Sequence, residues 1–160
     1  MTQAPVTIEL PRPPSVNGYL RHMELPLGGG RCPCCKRPMK SRVATLISAD
    51  GRDWLRDVDR ILFGLHLPVM QGPLSFSMML HGGDRRAIDL DNFVKPTLDA
   101  MKCRPRDDKQ TCWLFKDDSQ FNHLEVTRGA IVPGGKAVVT VAPIAGAEIQ
   151  TALFDGASHD

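Results

Sequence analysis

At 160 residues, with 20 basic and 18 acidic side chains and a formal charge of +2, the chain has the length of one ordinary domain, and its total charge is no argument for a polyanionic ligand. No apolar run approaches the roughly 20 residues that a membrane-spanning helix requires, and the N-terminus lacks the charged-then-apolar order of a secretory signal, so a cytoplasmic, membrane-free protein is expected. Five cysteines in a reducing compartment read as free thiols or metal ligands, and an odd number cannot all pair within one chain, so no disulfide is expected to staple the fold.

Val6, Ile8 and Leu10 alternate with polar neighbours and predict a first strand, which Pro11-Arg12-Pro13-Pro14 ends. From Leu25 to Arg42 the chain carries Gly28-Gly29-Gly30, three prolines and three cysteines without any period, and reads as a loop or small knuckle. Ser48 is placed to cap a helix on which Trp54, Leu55, Val58, Ile61, Leu62 and Leu65 recur at three-and-four spacing, ending near Gly64 to Pro68. Leu74, Phe76, Met78 and Leu80 alternate with Ser75, Ser77 and Met79 between Gly72-Pro73 and Gly82-Gly83, a second strand that should be half or wholly buried.

Leu90, Val94, Leu98 and Met101 share one stripe of a second helix. Pro96 would clash with the carbonyl four residues back in an established helix, so its regular part should begin only around Asn92 or Phe93. After an irregular charged stretch from Lys102 to Lys109, the segments from Phe121 to Arg128 and from Lys136 to Ala142 predict two strands joined by a turn at Pro133-Gly134-Gly135. The order strand, helix, strand, helix, strand, strand predicts an α+β fold, a small mixed sheet with two main helices. One domain over 1–145 would carry an inserted cysteine-containing loop at 25–42, with a frayed tail at 146–160. There are no internal repeats.

Asp89-Leu90-Asp91-Asn92 falls where the second strand hands over to the second helix, and Asp117-Asp118 falls just before the third strand. Carboxylate oxygens are the natural ligands of a hard cation such as magnesium, with manganese as an alternative. Ionised carboxylates forced together repel one another unless a cation or a helix N-terminus compensates, and convergence to within a few ångströms around one ion is the expectation here. Lys95, four residues after Asp91, shares its helical face and can offset phosphate charge. Together these groups supply what phosphodiester hydrolysis demands, a nucleophilic water and stabilisation of the phosphoryl oxygens. For an isolated pair of acids the plainer alternative is that Asp89 or Asp91 caps the helix while Lys95 and Asp99 form a surface pair.

The wider pattern adds to this. The run from Leu10-Pro11-Arg12-Pro13-Pro14-Ser15-Val16-Asn17-Gly18-Tyr19 to Leu20-Arg21-His22 resembles the opening signature of the RusA family of Holliday-junction resolvases. Asp84-Arg85-Arg86-Ala87-Ile88-Asp89-Leu90-Asp91-Asn92-Phe93-Val94-Lys95 resembles that family's catalytic segment, and Leu98-Asp99-Ala100 and Asp117-Asp118-Ser119-Gln120 follow in the family's order. The resemblance covers most of residues 5–142. It implies a homodimer with a mixed α/β subunit and metal-dependent, symmetric incision of four-way DNA junctions. By position, Asp89, Asp91 and Asp118 would be the metal-binding acids and Lys95 the essential basic residue, with Asp117 an alternative third ligand. Asn17, Arg21, Arg85 and Arg86 would contact the strand backbone or support the site. Paired nicks suit a two-fold dimer, which presents two equivalent sites to two equivalent strands.

Two features depart from the family pattern. Cys32-Pro33-Cys34-Cys35-Lys36-Arg37-Pro38 is an insertion that resembles a C-P-x-C-x-x-P zinc knuckle, and Cys32 and Cys35, joined by Cys103 and Cys112, would give a four-thiolate zinc site. The alternative is a metal-free loop, with Cys103 and Cys112 as small packing residues. Arg31, Lys36, Arg37, Lys40 and Arg42 place five positive charges in twelve residues without an acid, followed by Arg52, Arg56 and Arg60 on the first helix. Such a run is either a solvated surface or, in a nuclease, a phosphate-contacting patch. The five histidines show no HxxxH spacing, and Gly28-Gly29-Gly30 and Gly82-Gly83 lack a P-loop lysine, so neither a catalytic zinc nor a nucleotide cofactor is expected. The rivals to a junction resolvase are a non-catalytic DNA-binding module and a nuclease for flaps or replication forks.

Overall fold

The computed structural model describes residues 3–26, 31–32, 34–37, 41–106 and 109–144. Lys40 and the tail read as frayed lie outside these. In chain order the elements are β1 (Val6–Pro11), α1 (Val16–Tyr19), β2 (Leu20–Pro26), β3 (Ser41–Ile47), α2 (Ala49–Leu65), β4 (Leu74–His81), α3 (Val94–Met101), β5 (Arg104–Arg106), β6 (Lys109–Thr111), β7 (Phe121–Arg128) and β8 (Lys136–Pro143), with 3₁₀ turns at Leu90–Phe93 and Asp118–Gln120. The class is mixed α+β, as the order of periodic segments predicts. No helix among the described residues is long and apolar enough to cross a membrane.

The main sheet runs β1-β8-β4-β7. Its β1–β8 and β8–β4 ladders are antiparallel, and β4–β7 is parallel. β4 holds an interior position because its alternation is the cleanest in the chain: Leu74, Phe76, Met78 and Leu80 are fully buried, and each buried side chain of this size is worth about 1.5–3 kcal/mol.

The two last strands are joined through Pro133-Gly134-Gly135 but do not form a hairpin, because β4 lies between them. Their connection is stitched to the end of β4 instead. The Gly129 N–H donates to the Leu80 carbonyl at 2.9 Å and the Val132 N–H to the Gly82 carbonyl at 2.9 Å. Gly135 closes the turn at φ +70, and a Cβ there would sit 2.9 Å from the His81 carbonyl oxygen, so both conformation and space demand glycine.

α2 begins as its sequence predicts. The Ser48 hydroxyl oxygen accepts from the Gly51 N–H at 2.9 Å, and Trp54, Leu55, Val58 and Leu62 are buried. The Trp54 indole N–H reaches the Pro11 carbonyl at 3.1 Å, which ties the helix to the end of β1. Leu65, assigned to the same apolar face, is exposed where the helix stops, with His66 in the left-handed region at φ 49. α3 starts at Val94, after a 3₁₀ turn. Pro96 fits because it lies in the first turn, where backbone N–H groups have no intrahelical partner to lose.

Five elements escaped the sequence: α1 and the strands of two ribbons. α1 is four residues long, too short to show a period. The span read as a loop is flanked by a two-stranded ribbon, β2 paired with β3 from Leu20↔Ile47 to Pro26↔Ser41. Residues such as Met23 and Val43 on it are exposed, so no alternation of burial marks it. The β5–β6 ribbon occupies the stretch read as irregular, and Cys103 and Cys112 form a disulfide across its base. That corrects the expectation that no disulfide forms: the antiparallel ribbon brings its two flanking residues face to face. Arg104 at the start of this ribbon pairs with the buried Asp59 of α2, which also accepts from the Trp113 indole N–H at 2.8 Å.

Candidate active site

Two 3₁₀ turns present the acids named from sequence. The first, Leu90–Phe93, joins the glycine-rich end of β4 to α3, and the Arg128 guanidinium of β7 donates to the Ile88 carbonyl at 2.8 Å, pinning the segment just ahead of it. Asp89 occupies the N-cap position of this turn, yet its carboxylate makes no capping hydrogen bond. Asp89 and Asp91 are both exposed. The plainer reading, an aspartate committed to capping, therefore fails for Asp89. Asp89 lines a groove of about 410 Å³ together with Arg12, Ser15, Arg86, Asn92 and Phe93.

The second turn, Asp118–Gln120, leads into β7. Its two adjacent acids have different work. Asp117 is the cap: its carboxylate accepts from the Ser119 N–H at 3.0 Å, while the Gln120 side chain accepts from the Asp117 N–H at 3.1 Å and donates to the Met70 and Gly72 carbonyls. The hydrogen bond from Ser119 holds the Asp117 carboxyl below its ordinary pKa. Asp118 points to cations instead, with Lys95 at 3.6 Å and Lys102 at 3.7 Å.

Both lysines also hold Asp99 of α3, Lys95 at 2.6 Å and Lys102 at 2.9 Å. Two ammonium groups thus alternate with two carboxylates at the joint between α3 and the turn before β7. Burial works against the charge on Lys102, but the Asp99 hydrogen bond and the charges of Asp99, Asp118 and Asp117 outweigh it and hold its pKa above the ordinary lysine value. Lys95, placed from sequence beside Asp91, forms ion pairs with Asp99 and Asp118. Asp99 entered the sequence reading as a possible surface partner of Lys95 and within the Leu98-Asp99-Ala100 motif, and Lys102 only as the start of an irregular charged stretch. Spacing alone could have flagged both, since Lys95, Asp99 and Lys102 recur at four and three residues on one helical face.

The carboxylates are more spread than expected. Among the described residues, the one group of three or more acidic, histidine or cysteine side chains whose ligand atoms all lie within 4.8 Å of one another is Cys32, Cys34 and Cys35. Asp89, Asp91 and Asp118 do not form such a group. Mutual repulsion disfavours closer approach, and the lysines already neutralise Asp118.

Arg12 is a further residue that sequence reasoning passed over. Its guanidinium lies 5.3 Å from the centre of the Phe93 ring, and its buried Nε finds no hydrogen-bond partner. Arg86 grips Asp84 through Nε at 2.9 Å and Nη2 at 2.6 Å, and this side-chain hydrogen bonding pushes the Asp84 carboxyl down to about 2. Asn17, Arg21, Arg85, Lys36 and Arg37, named from sequence as DNA contacts, are exposed. On α2 the arginines are engaged locally: Arg56 pairs with Asp53, Arg60 with Asp57, and Arg52 donates to the Ile47 carbonyl. They extend the basic patch less than their charges suggest.

The four-cysteine zinc site predicted from sequence does not form, because Cys103 and Cys112 are bonded to each other. Cys34 stands in the cluster with Cys32 and Cys35 instead. The Cys32 and Cys34 sulfurs are 3.0 Å apart. Hydrogen bonding, from the Cys34 side chain first and then from the Cys35 and Cys34 backbone, lowers the Cys32 thiol to about 6.

The proteins this chain resembles are endodeoxyribonucleases. It is 32% identical over 135 residues to crossover junction endodeoxyribonuclease RusA of Enterobacteria phage 82, covering 84% of this chain and 91% of that protein. It is 30% identical over 136 residues to the protein of the same name from Escherichia coli K12, covering 84% and 92%. For the phage HK97 protein the identity is 28% over 133 residues. No family model matches the chain. Likeness of this degree over most of both chains makes it a member of the RusA family of crossover junction endodeoxyribonucleases.

Proposed function

We propose that the chain is a divalent-metal-dependent endodeoxyribonuclease that resolves four-way DNA junctions by paired symmetric nicks, acting as a homodimer. The observation that carries this reading is the convergence of Lys95 and Asp118, from two separate motifs, at one ion pair of 3.6 Å. Membership of a family whose named members are crossover junction endodeoxyribonucleases supports it.

The donor chemistry fits magnesium. Asp89, Asp91 and Asp118 offer hard oxygen atoms, and magnesium keeps several of its waters and needs only one or two carboxylates, so a spread set of acids suits it; manganese fits the same donors. Asp118 is favoured over Asp117 as the third ligand, because the Asp117 carboxylate is committed to its cap. A bound ion supplies a nucleophilic water at neutral pH and counter-charge for the phosphoryl oxygens. Lys95 then places a second positive charge at the scissile phosphate. The exposed cations Arg21, Arg85, Lys36 and Arg37 hold the flanking backbone, with a binding strength that falls as salt rises.

The test is incubation of the protein with a labelled four-way junction, with and without magnesium. Paired nicks that need the metal are expected, and Asp91→Asn should abolish them while leaving the retarded junction complex in place. Metal-independent binding with no cleavage would identify a DNA-binding module instead, and preferential incision of flaps or forks would move the substrate. Near-wild-type cleavage by Asp91→Asn would refute the site.

A further inference from the structure

At the far end of the β2–β3 ribbon, away from the carboxylate residues in sequence, a second set of metal-binding groups is brought together. Cys32, Cys34 and Cys35 have all three sulfur atoms within 4.8 Å of one another. The backbone arranges this. The Cys32 carbonyl accepts from the Lys36 N–H at 2.9 Å and the Cys32 N–H donates to the Arg37 carbonyl at 2.9 Å, so the chain folds back over the cysteines with Lys36 in the left-handed region at φ 58. Cys34 and Cys35 are exposed and Cys32 is only half-buried, so hydrophobic packing does not account for the cluster. A tetrahedral zinc with bonds of about 2.3 Å to thiolates spaces its sulfurs by about 3.8 Å. The Cys32–Cys34 pair, 3.0 Å apart, need open by less than about 1 Å to meet that geometry.

We propose that Cys32, Cys34 and Cys35 bind one zinc ion through three thiolates, with its fourth position open to solvent, and that the ion fixes the ribbon tip so that Arg31, Lys36 and Arg37 are held outward for contact with DNA phosphates. Soft sulfur donors select zinc over the hard cation suited to the carboxylates. Cys103 and Cys112, tied in their disulfide, take no part. The role in DNA contact rests on the junction-nuclease reading; the zinc site does not.

The experiment uses the full-length, untagged protein purified without chelator. One zinc per chain is expected, with replacement by cobalt producing the absorption of thiolate-to-cobalt charge transfer. Cys34→Ser should weaken zinc binding, measured against a competing chelator, by at least about tenfold, while Cys103→Ala/Cys112→Ala keeps the full complement. Removing zinc from the wild type should weaken junction binding, and Asp91→Asn should retain both zinc and binding. Fewer than one zinc per two chains, three freely titrating thiols, a Cys32–Cys34 disulfide, or affinity unchanged by Cys34→Ser would each overturn the site. A zinc-loaded protein that neither binds nor cuts junctions would leave the metal site standing and refute its role in DNA contact together with the nuclease reading.

Discussion

The Lys95 ammonium on the first turn of α3 stands 3.6 Å from the Asp118 carboxylate at the start of the turn leading into β7. The two residues come from motifs separated by an entire ribbon and disulfide, and their meeting brings those motifs together at the joint between α3 and β7. Lys95→Met removes the charge that the proposed mechanism places at the reacting phosphate without opening the core, since Lys95 is exposed. Single-turnover cleavage of a four-way junction should fall by roughly 10²–10³, with the dissociation constant changed only a few-fold. Equal losses in cleavage and binding would show that Lys95 serves mainly to hold DNA.

Lys102 shares Asp99 and Asp118 with Lys95 and is the less exposed of the two lysines. Its pKa is raised on folding, so its contribution to stability is fully present below the unfolded lysine value and is lost as pH rises through the higher folded value. Thermal melts of Lys102→Met should therefore lie below wild type at neutral pH, by an amount corresponding to roughly 1 kcal/mol, and converge with it in strong alkali. A difference that persists unchanged at high pH would point to lost packing of the aliphatic stem instead.

Gly51, in the first turn of α2, is a test of packing against propensity. A Cβ there would meet Ile47 Cγ2 and Tyr19 Cδ2 at 2.9 Å and the Tyr19 carbonyl at 3.0 Å. Alanine in place of glycine within a helix gains about 1 kcal/mol, whereas overpacking costs about 1–3 kcal/mol. Gly51→Ala should lower the midpoint of urea unfolding, while Gly64→Ala, with nothing within 4 Å of its Cβ, should raise it. Stabilisation by both would show that the β2–β3 ribbon yields freely at its base.

Tyr19 is the sole tyrosine of the chain and is 2% exposed. Burial first, and then the Asp99 charge, push its phenol up to about 12, against a smaller opposite effect from Arg104. A folded state that prefers the neutral phenol loses stability as pH rises from about 10 to about 12. Absorbance of the phenolate should thus appear only near pH 12 in the folded protein, together with a loss of about 3 kcal/mol across that interval. Ionisation near pH 10 with the fold intact would place Tyr19 in contact with water.

Much of the framework was legible because it is local. Leu74 to Leu80 alternate with a period of two, and Trp54 to Leu62 recur at helical spacing, so a run of a few residues carries enough information to name each element. Ser48 capped α2 as expected because an N-cap needs only a hydroxyl at one position. The β2–β3 ribbon was not legible, since apart from Leu20 and Ile47 at its base few of its side chains meet the core. Lys102 and Asp99 were overlooked in the site because a helix face bearing alternate charges looks the same whether it meets solvent or another element.

The chain by itself determined the class of its elements, the carboxylates and lysine to examine, and the family to which it belongs. Only the tertiary structure decided that β4 stands between β7 and β8, that Asp117 caps while Asp118 faces two lysines, and that Cys34 replaces Cys103 and Cys112 beside Cys32 and Cys35. The division has one physical cause. Periodicity and capping act over a turn or a few residues of strand, whereas ladder partners, ion pairs and disulfides join distant segments whose meeting depends on how the whole core closes.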